Sequence, residues 1–246
     1  MLHLSPQFWL LVTNFGGAGL TLPLAFAIAL WLTVGYSWRL AAAWLFLLGV
    51  AIALVTATKI AFLGWGVGVQ VWDFTGLSGH AMFATAVFPV AVLLVLLPAP
   101  PAVRVVGVAL ALFGGALVGF SRVVVEAHSP SEAITGCIVG ALTALVFVRI
   151  AWNATPPGRL PVVPVVLSLT IITLALHAVH LPTQRWVTHI ALKISGHDRP
   201  FVRARWKALR DAYAPAAPTT PAAPVAPLAP LQKTRNVAMP LPDSDA

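Results

Sequence analysis

His80-Ala-Met-Phe-Ala-Thr-Ala-Val-Phe-Pro-Val-Ala-Val-Leu-Leu-Val-Leu-Leu97 opens on a histidine and then carries no charged residue. A run of this kind is too long and too uniformly apolar for an amphipathic surface helix, and it approaches the roughly 20 residues a helix needs to span hydrocarbon. Five more segments read the same way: Gly19–Tyr36, Arg39–Thr58, Val103–Phe120, Ser131–Trp152 and Val162–Val179. The whole chain is 59% hydrophobic and 9% charged, with a mean hydropathy of +0.90. A soluble domain of this size spreads far more charge over its surface, so the bilayer is the expected solvent. The fold class that follows is all-α, an integral membrane bundle of six transmembrane helices over residues 1–183. Pro98-Ala-Pro-Pro101 and Pro156-Pro157-Gly158 stop helices between spans. Phe8–Val12 is too short to cross and is expected to lie in the interface. No basic region precedes it, so no cleaved signal peptide is expected.

Charge is unevenly distributed. Nine of the 15 Lys and Arg residues lie at or beyond Arg185, with four of the seven acids. A basic stripe can mean nucleic acid, but this one adjoins a span and is interleaved with Trp186, Phe201 and Trp206. Phe201, Arg205 or Trp206, Leu209 and Tyr213 fall near one helical face. Residues 184–213 are therefore expected to form a basic amphipathic segment on anionic headgroups, the plainer alternative being a solvated helix. The Ala- and Pro-rich residues 214–246 cannot bury a core and are expected to be disordered. Cys137 is the only cysteine, which excludes an intrachain disulfide.

Ionisable residues in or beside spans are expensive and default to functional candidates. Threading the spans alternately puts Lys59, His80, Arg122, His128 and Glu132 at one face. Arg39, Arg104, Arg149 and Arg159 emerge at the other with no acid among them, the pattern of short cytoplasmic loops. The mixed cluster at the first face exceeds what orientation requires. Two histidines, a lysine and an arginine beside small polar turns suit an anion, and Ser78-Gly79-His80 opens a helix whose free N–H groups favour phosphate or sulfate. His177 and His180 lack such company and read as interfacial residues, Glu126 as a solvated loop acid, and the tryptophans as interface anchors.

These residues resemble the type 2 phosphatidic acid phosphatase superfamily, membrane phosphatases with motifs K-x6-R-P, P-S-G-H and S-R-x5-H-x3-D. Here Lys59 is followed by six residues and then Gly66-Val67; Leu77-Ser78-Gly79-His80 stands for the second motif; and Ser121-Arg122, His128 and Glu132 keep the third motif's spacing. The resemblance covers about residues 19–152. It implies His128 as a nucleophile passing through a phosphohistidine, Glu132 as the acid that orients its ring, and His80 as general acid to the leaving group. It also implies that Lys59, Ser78, the Gly79 amide, Ser121 and Arg122 bind phosphate. No cofactor or metal is implied, and the substrate would be a lipid phosphate or diphosphate such as phosphatidic acid, phosphatidylglycerol phosphate, polyprenyl diphosphate or lipid A. The first motif lacks its Arg-Pro, and Glu132 replaces an aspartate.

Competing readings attach to the same residues. Lys59 can snorkel from a helix end. Ser129-Pro130-Ser131-Glu132 is a capping box, although a carboxylate has two oxygens and can serve both duties. A second Ser-Gly-His, Ser195–His197, lies beyond the last span with Lys193, Arg199 and Pro200 mimicking the missing motif one residue short; it reads as coincidence, the alternative being that the tail folds back and lends Arg199. Rival functions are a rhomboid-type protease, with Gly76-Leu77-Ser78-Gly79 as nucleophile motif and His128 as base, and a family member that binds lipid headgroups without turnover. The arginine-bearing loops place the active site outside the cytoplasm, facing the periplasm of a bacterial inner membrane. Six spans would return the basic tail to that same side.

Overall fold

The computed structural model describes residues 5–154, 162–204, 206 and 208. Among them the regular structure is helical, apart from an isolated β-bridge, Val69–Phe74. In chain order the helices are α1 (Pro6–Asn14), α2 (Ala18–Gly35), α3 (Trp38–Trp65), α4 (Gly79–Leu96), α5 (Pro101–Val124), α6 (Pro130–Ala151), α7 (Val162–Leu176) and α8 (Thr183–Ser195). Five stretches are long and apolar enough to cross a membrane: Pro6–Gly35, Trp38–Trp65, Gly79–Leu96, Pro101–Val124 and Pro130–Ala151. The outer faces carry large exposed apolar side chains, Phe46, Phe113 and Leu142 among them, a surface suited to lipid and not to water.

Several boundaries differ from those expected. The segment around Phe8–Val12 is a helix of its own, capped by Ser5 and packed on α5 through Trp9 against Phe120. α3 runs on from Thr58 to Trp65, because nothing breaks it until Gly66 takes a left-handed conformation at φ 71°. Lys59 therefore lies inside α3, almost two turns before its end. The last expected span is a shorter helix, 15 residues long or about 22 Å at 1.5 Å per residue. Of the expected helical face, Phe201 is not helical, and Arg205, Leu209 and Tyr213 fall outside the described residues, as do the expected disorder of 214–246 and the Arg159 loop.

α4 is the centre of the bundle, buried between α5, α6 and α2. Hydrocarbon provides no hydrophobic drive between helices, so close backbone approach must supply the attraction. Two small-residue pairs at four-residue spacing provide it. A Cβ on Gly115 would meet Thr85, and one on Gly119 would meet Cys137 and Ala81. On the other side a Cβ on Gly136 would meet the Ser78 carbonyl, and one on Gly140 the Met82 carbonyl and Thr85. Thr85 secures the seam by donating to Ala81 O at 2.7 Å and to Cys137 O across the interface at 3.2 Å. Behind it Trp44 is fully buried, donates to Ala25 O at 3.0 Å and packs on Phe147.

This packing carries the end of α3 and the starts of α4 and α6 to one face of the bundle, with the end of α5. At the opposite face Arg104 donates to Ala99 O at 2.8 Å and Trp152 O at 2.9 Å, closing the carboxyl end of α6. α7 runs antiparallel to α2. Ser168 accepts from the Trp31 indole at 3.0 Å, whereas Val179, beyond the other end of α7, lies against Gly19. The chain thus returns to the first face before α8 begins.

Replacing Gly140 with Val should overpack the α4–α6 seam, costing about 1–3 kcal/mol and lowering the unfolding temperature in detergent. Gly114→Ala, at a position with open space around it, should leave that temperature unchanged. Equal behaviour of the two variants would show that the seam does not hold the bundle.

Candidate active site

Glu132 is wholly buried, and its position follows from the capping box. Ser129 Oγ accepts from the Glu132 amide while the Glu132 carboxylate accepts from the Ser129 amide at 3.2 Å, with Pro130 at the first helical position. The same oxygen, Oε2, lies 2.7 Å from His128 Nδ1. Capping and ring orientation are thus performed together by one oxygen. Oε1 faces the other way and accepts from the Thr75 amide at 2.6 Å, from the Thr75 hydroxyl and from Arg203 Nη2 at 2.6 Å.

His128 is held by how α5 ends. Glu126 turns left-handed at φ 55°, and the Ala127 and His128 amides both return to the Arg122 carbonyl, at 3.0 and 3.1 Å. That wrap explains five residues between Arg122 and His128: it closes the helix and delivers the ring to the first turn of α6. Because a carboxylate accepts, Nδ1 carries the proton and Nε2 keeps its lone pair. Burial holds the imidazole below its ordinary value of 6.5, assisted by the charges of Lys59 and Arg122 and opposed by the Glu132 hydrogen bond.

A cavity of about 450 Å³ opens in front of this pair, lined by Lys59, Gly79, His80, Arg122, His128, Glu132 and Arg203. Lys59 Nζ donates to Gln184 at 3.3 Å. Arg122 Nη1 donates to Thr13 of α1 at 3.0 Å, and its Nε is buried with no partner among the described residues. His80 sits in the first turn of α4 beneath the Gly16-Gly17 turn, where a side chain on Gly16 would strike its backbone. Apolar walls come from Ala18, Phe62, Leu63, Phe83, Phe201 and Val202.

Of the eight residues singled out in the sequence, His128, His80, Glu132, Lys59, Gly79 and Arg122 meet at this cavity. Ser78 and Ser121 stand behind its wall. Ser78 is fully buried, caps α4 by accepting from the Ala81 amide, and donates its own amide to Glu132 O at 3.1 Å. Ser121 Oγ donates to Val118 O at 2.6 Å. Thr75, Gln184 and Arg203 escaped sequence reading; Arg203 had only its basic character to show, and its place depends on where the chain folds after α8. The second Ser-Gly-His is structural. Gly196 ends α8 in a left-handed conformation, and His197 Nδ1 bonds the Gly64 carbonyl at 2.8 Å.

The fold and this site define a membrane protein with a histidine–carboxylate pair facing clustered cations. Residues 58–156 match the model of the PAP2 superfamily, a span running from the residue before Lys59 to just past α6. The chain is also 34% identical over 209 residues to the "Uncharacterized 22.5 kDa protein in cps region" of Klebsiella pneumoniae, covering 79% of this chain and 95% of that protein. No solved structure matches. The chain belongs to the PAP2 superfamily, whose members are in general phosphatases.

Glu132→Gln removes the contribution that raises the His128 pKa, so the imidazole should titrate still lower. Nitrogen NMR of labelled imidazoles in detergent would measure this, and an upward move would contradict the assigned hydrogen bond.

Proposed function

We propose that this protein is a metal-independent phosphohydrolase for a lipid phosphate or lipid diphosphate, with its site at the membrane–water boundary. The observation that carries the reading is His128, whose Nδ1–H is fixed on Glu132 and whose Nε2 has no hydrogen-bond partner among the described residues, in a cavity shared with Lys59, Arg122 and His80. Nε2 attacks phosphorus while the bond to the ester oxygen breaks, and His80 gives that oxygen a proton. The dianionic substrate brings the negative charge that lets His80 hold a proton between two cations. Water then attacks the phosphohistidine, His80 takes a proton from it, and the N–P bond breaks to release phosphate and restore His128. Glu132 stabilises the positive charge that the ring gains in the first step. Lys59, Arg122 and the Gly79 amide at the start of α4 hold the phosphoryl oxygens. The apolar cavity wall suits the first part of a lipid chain.

A rhomboid-type protease would need Ser78 on the cavity, but its hydroxyl is buried in the cap of α4. The site is proposed to face the periplasm, with the chain after α7 on the same side. An alkaline phosphatase fusion at Ala246 should be active; an inactive one, beside an active fusion in the His128 loop, would place the tail across the membrane.

Purified protein should release phosphate from at least one lipid phosphate in EDTA. His128→Ala should abolish release, and Arg122→Ala should reduce kcat by about 100-fold or more. A broad panel with no release would leave headgroup binding as the function. The nucleophile must be neutral, and its pKa lies below 6.5. Once corrected for the second ionisation of the substrate phosphate, itself near about 6, kcat/KM should therefore hold as pH falls through 6.5; a further acidic inflection above 6.5 would contradict the assignment.

A further inference from the structure

The stretch after α8 does more than trail from the bundle. It docks on the end of α3 at three points: the His197 ring on Gly64 O, the Phe201 amide on Leu63 O at 2.9 Å, and the Trp206 ring edge-on to Phe62 at 4.9 Å. This seat depends on bare backbone beneath it. A Cβ on Gly66 would come within 2.8 Å of the Phe201 ring, and one on Gly68 would meet Trp206 and the Phe74 carbonyl. Gly66, which stands where the first motif would have its Arg, thus lies beneath this strap. From this seat Arg203 reaches into the site. Its Nη2 is 2.6 Å from Glu132 Oε1 and 3.1 Å from the Thr75 hydroxyl, and its Nε is 3.5 Å from Asp73.

We propose that the strap Gly196–Ala204 is part of the active site and that Arg203 is the positioning residue that fixes Glu132 and, through it, His128. The physical need is plain. Glu132 is inaccessible to water, and its other ring partner, His128, must be neutral to act as a nucleophile. Without Arg203 the carboxylate would keep its hydrogen bonds from Ser129, Thr75 and a neutral imidazole but no counter-ion, and such a charge is relieved by taking up a proton or by rotating away. Lys59 and Arg122 line the same cavity, but neither lies within 4 Å of the carboxylate as an ion pair among the described residues. Arg203 does, and it pins Oε1 so that Oε2 stays on Nδ1. The strap supplies its guanidinium from the far end of the chain to the carboxylate, leaving the phosphoryl group to Lys59 and Arg122. The catalytic part of this inference rests on the phosphatase reading; the structural part does not.

The test uses the full chain in detergent with Arg203→Gln and Arg203→Lys. The first readout is imidazole nitrogen NMR, which requires no turnover. His128 shares its cavity with Lys59 of α3, His80 of α4, Arg122 of α5, Glu132 of α6 and Arg203, whose second carboxylate partner is Asp73. Removing one positive charge from this set should make the His128–Glu132 pair bind its first proton at higher pH in Arg203→Gln, with Arg203→Lys closer to wild type. An unchanged titration would overturn the proposal; a downward one would mark Glu132 leaving Nδ1, the other consequence of losing the pin. The second readout is phosphate release from a lipid phosphate. Arg203→Gln should lower kcat about ten- to a hundredfold, the scale for a group that acts through a histidine's partner, with KM nearly unchanged and partial recovery in Arg203→Lys. A raised KM with wild-type kcat would put Arg203 on the substrate and overturn the positioning role. Phe201→Ala, which loosens the strap without touching the guanidinium, should move both readouts in the same direction by less; no movement would separate the strap from the site. If wild type turns over no lipid phosphate yet the titration shift appears, the phosphatase reading fails and the positioning role stands.

Discussion

The site depends on one buried carboxylate. Glu132 closes the first turn of α6, sets the His128 ring, receives the Thr75 loop and holds Arg203. Each bond draws on a different part of the chain, so the carboxylate is both a folding contact and a chemical one. Its helix register supplies part of the geometry: His128 and Glu132 are four residues apart across a capped start, which brings ring and carboxylate together with little freedom to lose. The rest of its charge must be balanced by groups brought from a distance.

The bundle exists to hold those starts and ends at one level. α4 is enclosed on all sides, and its approach to α5 and α6 is limited by backbone contact at Gly115, Gly136 and Gly140 and by the Ala81 side chain at Gly119. Small residues fix how deep α4 sits, and depth fixes where His80 stands relative to Arg122 and His128. Ser78 links the two levels, because its amide is bonded to the Glu132 carbonyl while its hydroxyl caps α4. A residue that resembles a phosphate ligand in sequence instead aligns the two helices that bear the histidine pair and the general-acid candidate.

Much of this was legible in the chain alone. Long apolar runs bounded by Pro and Gly determined the helices and their membrane setting, since hydrocarbon admits little else. The alternation of spans determined which ionisable residues share a face. The Ser-Arg-x5-His-x3-Glu spacing pointed to the His128–Glu132 pair because both intervals are local: one is a helix end wrapping on itself, the other a helix turn. The end of a helix is less legible: α3 extends to Trp65 because apolar residues continue past Lys59 and the backbone turns left-handed only at Gly66.

What only the tertiary structure decided is non-local. Nothing in Arg203 or its neighbours marks it as the partner of a residue 71 positions earlier, because that pairing depends on α7 returning along α2 and the strap seating on Gly66 and Gly68. Likewise the sequence left Glu132 with two competing duties, whereas the coordinates give both to Oε2 and a third to Oε1. Local periodicity determines elements and short spacings, since neighbours along a helix must also be neighbours in space. Which distant charges meet is set by how the helices pack, and that information is spread over every residue of their seams.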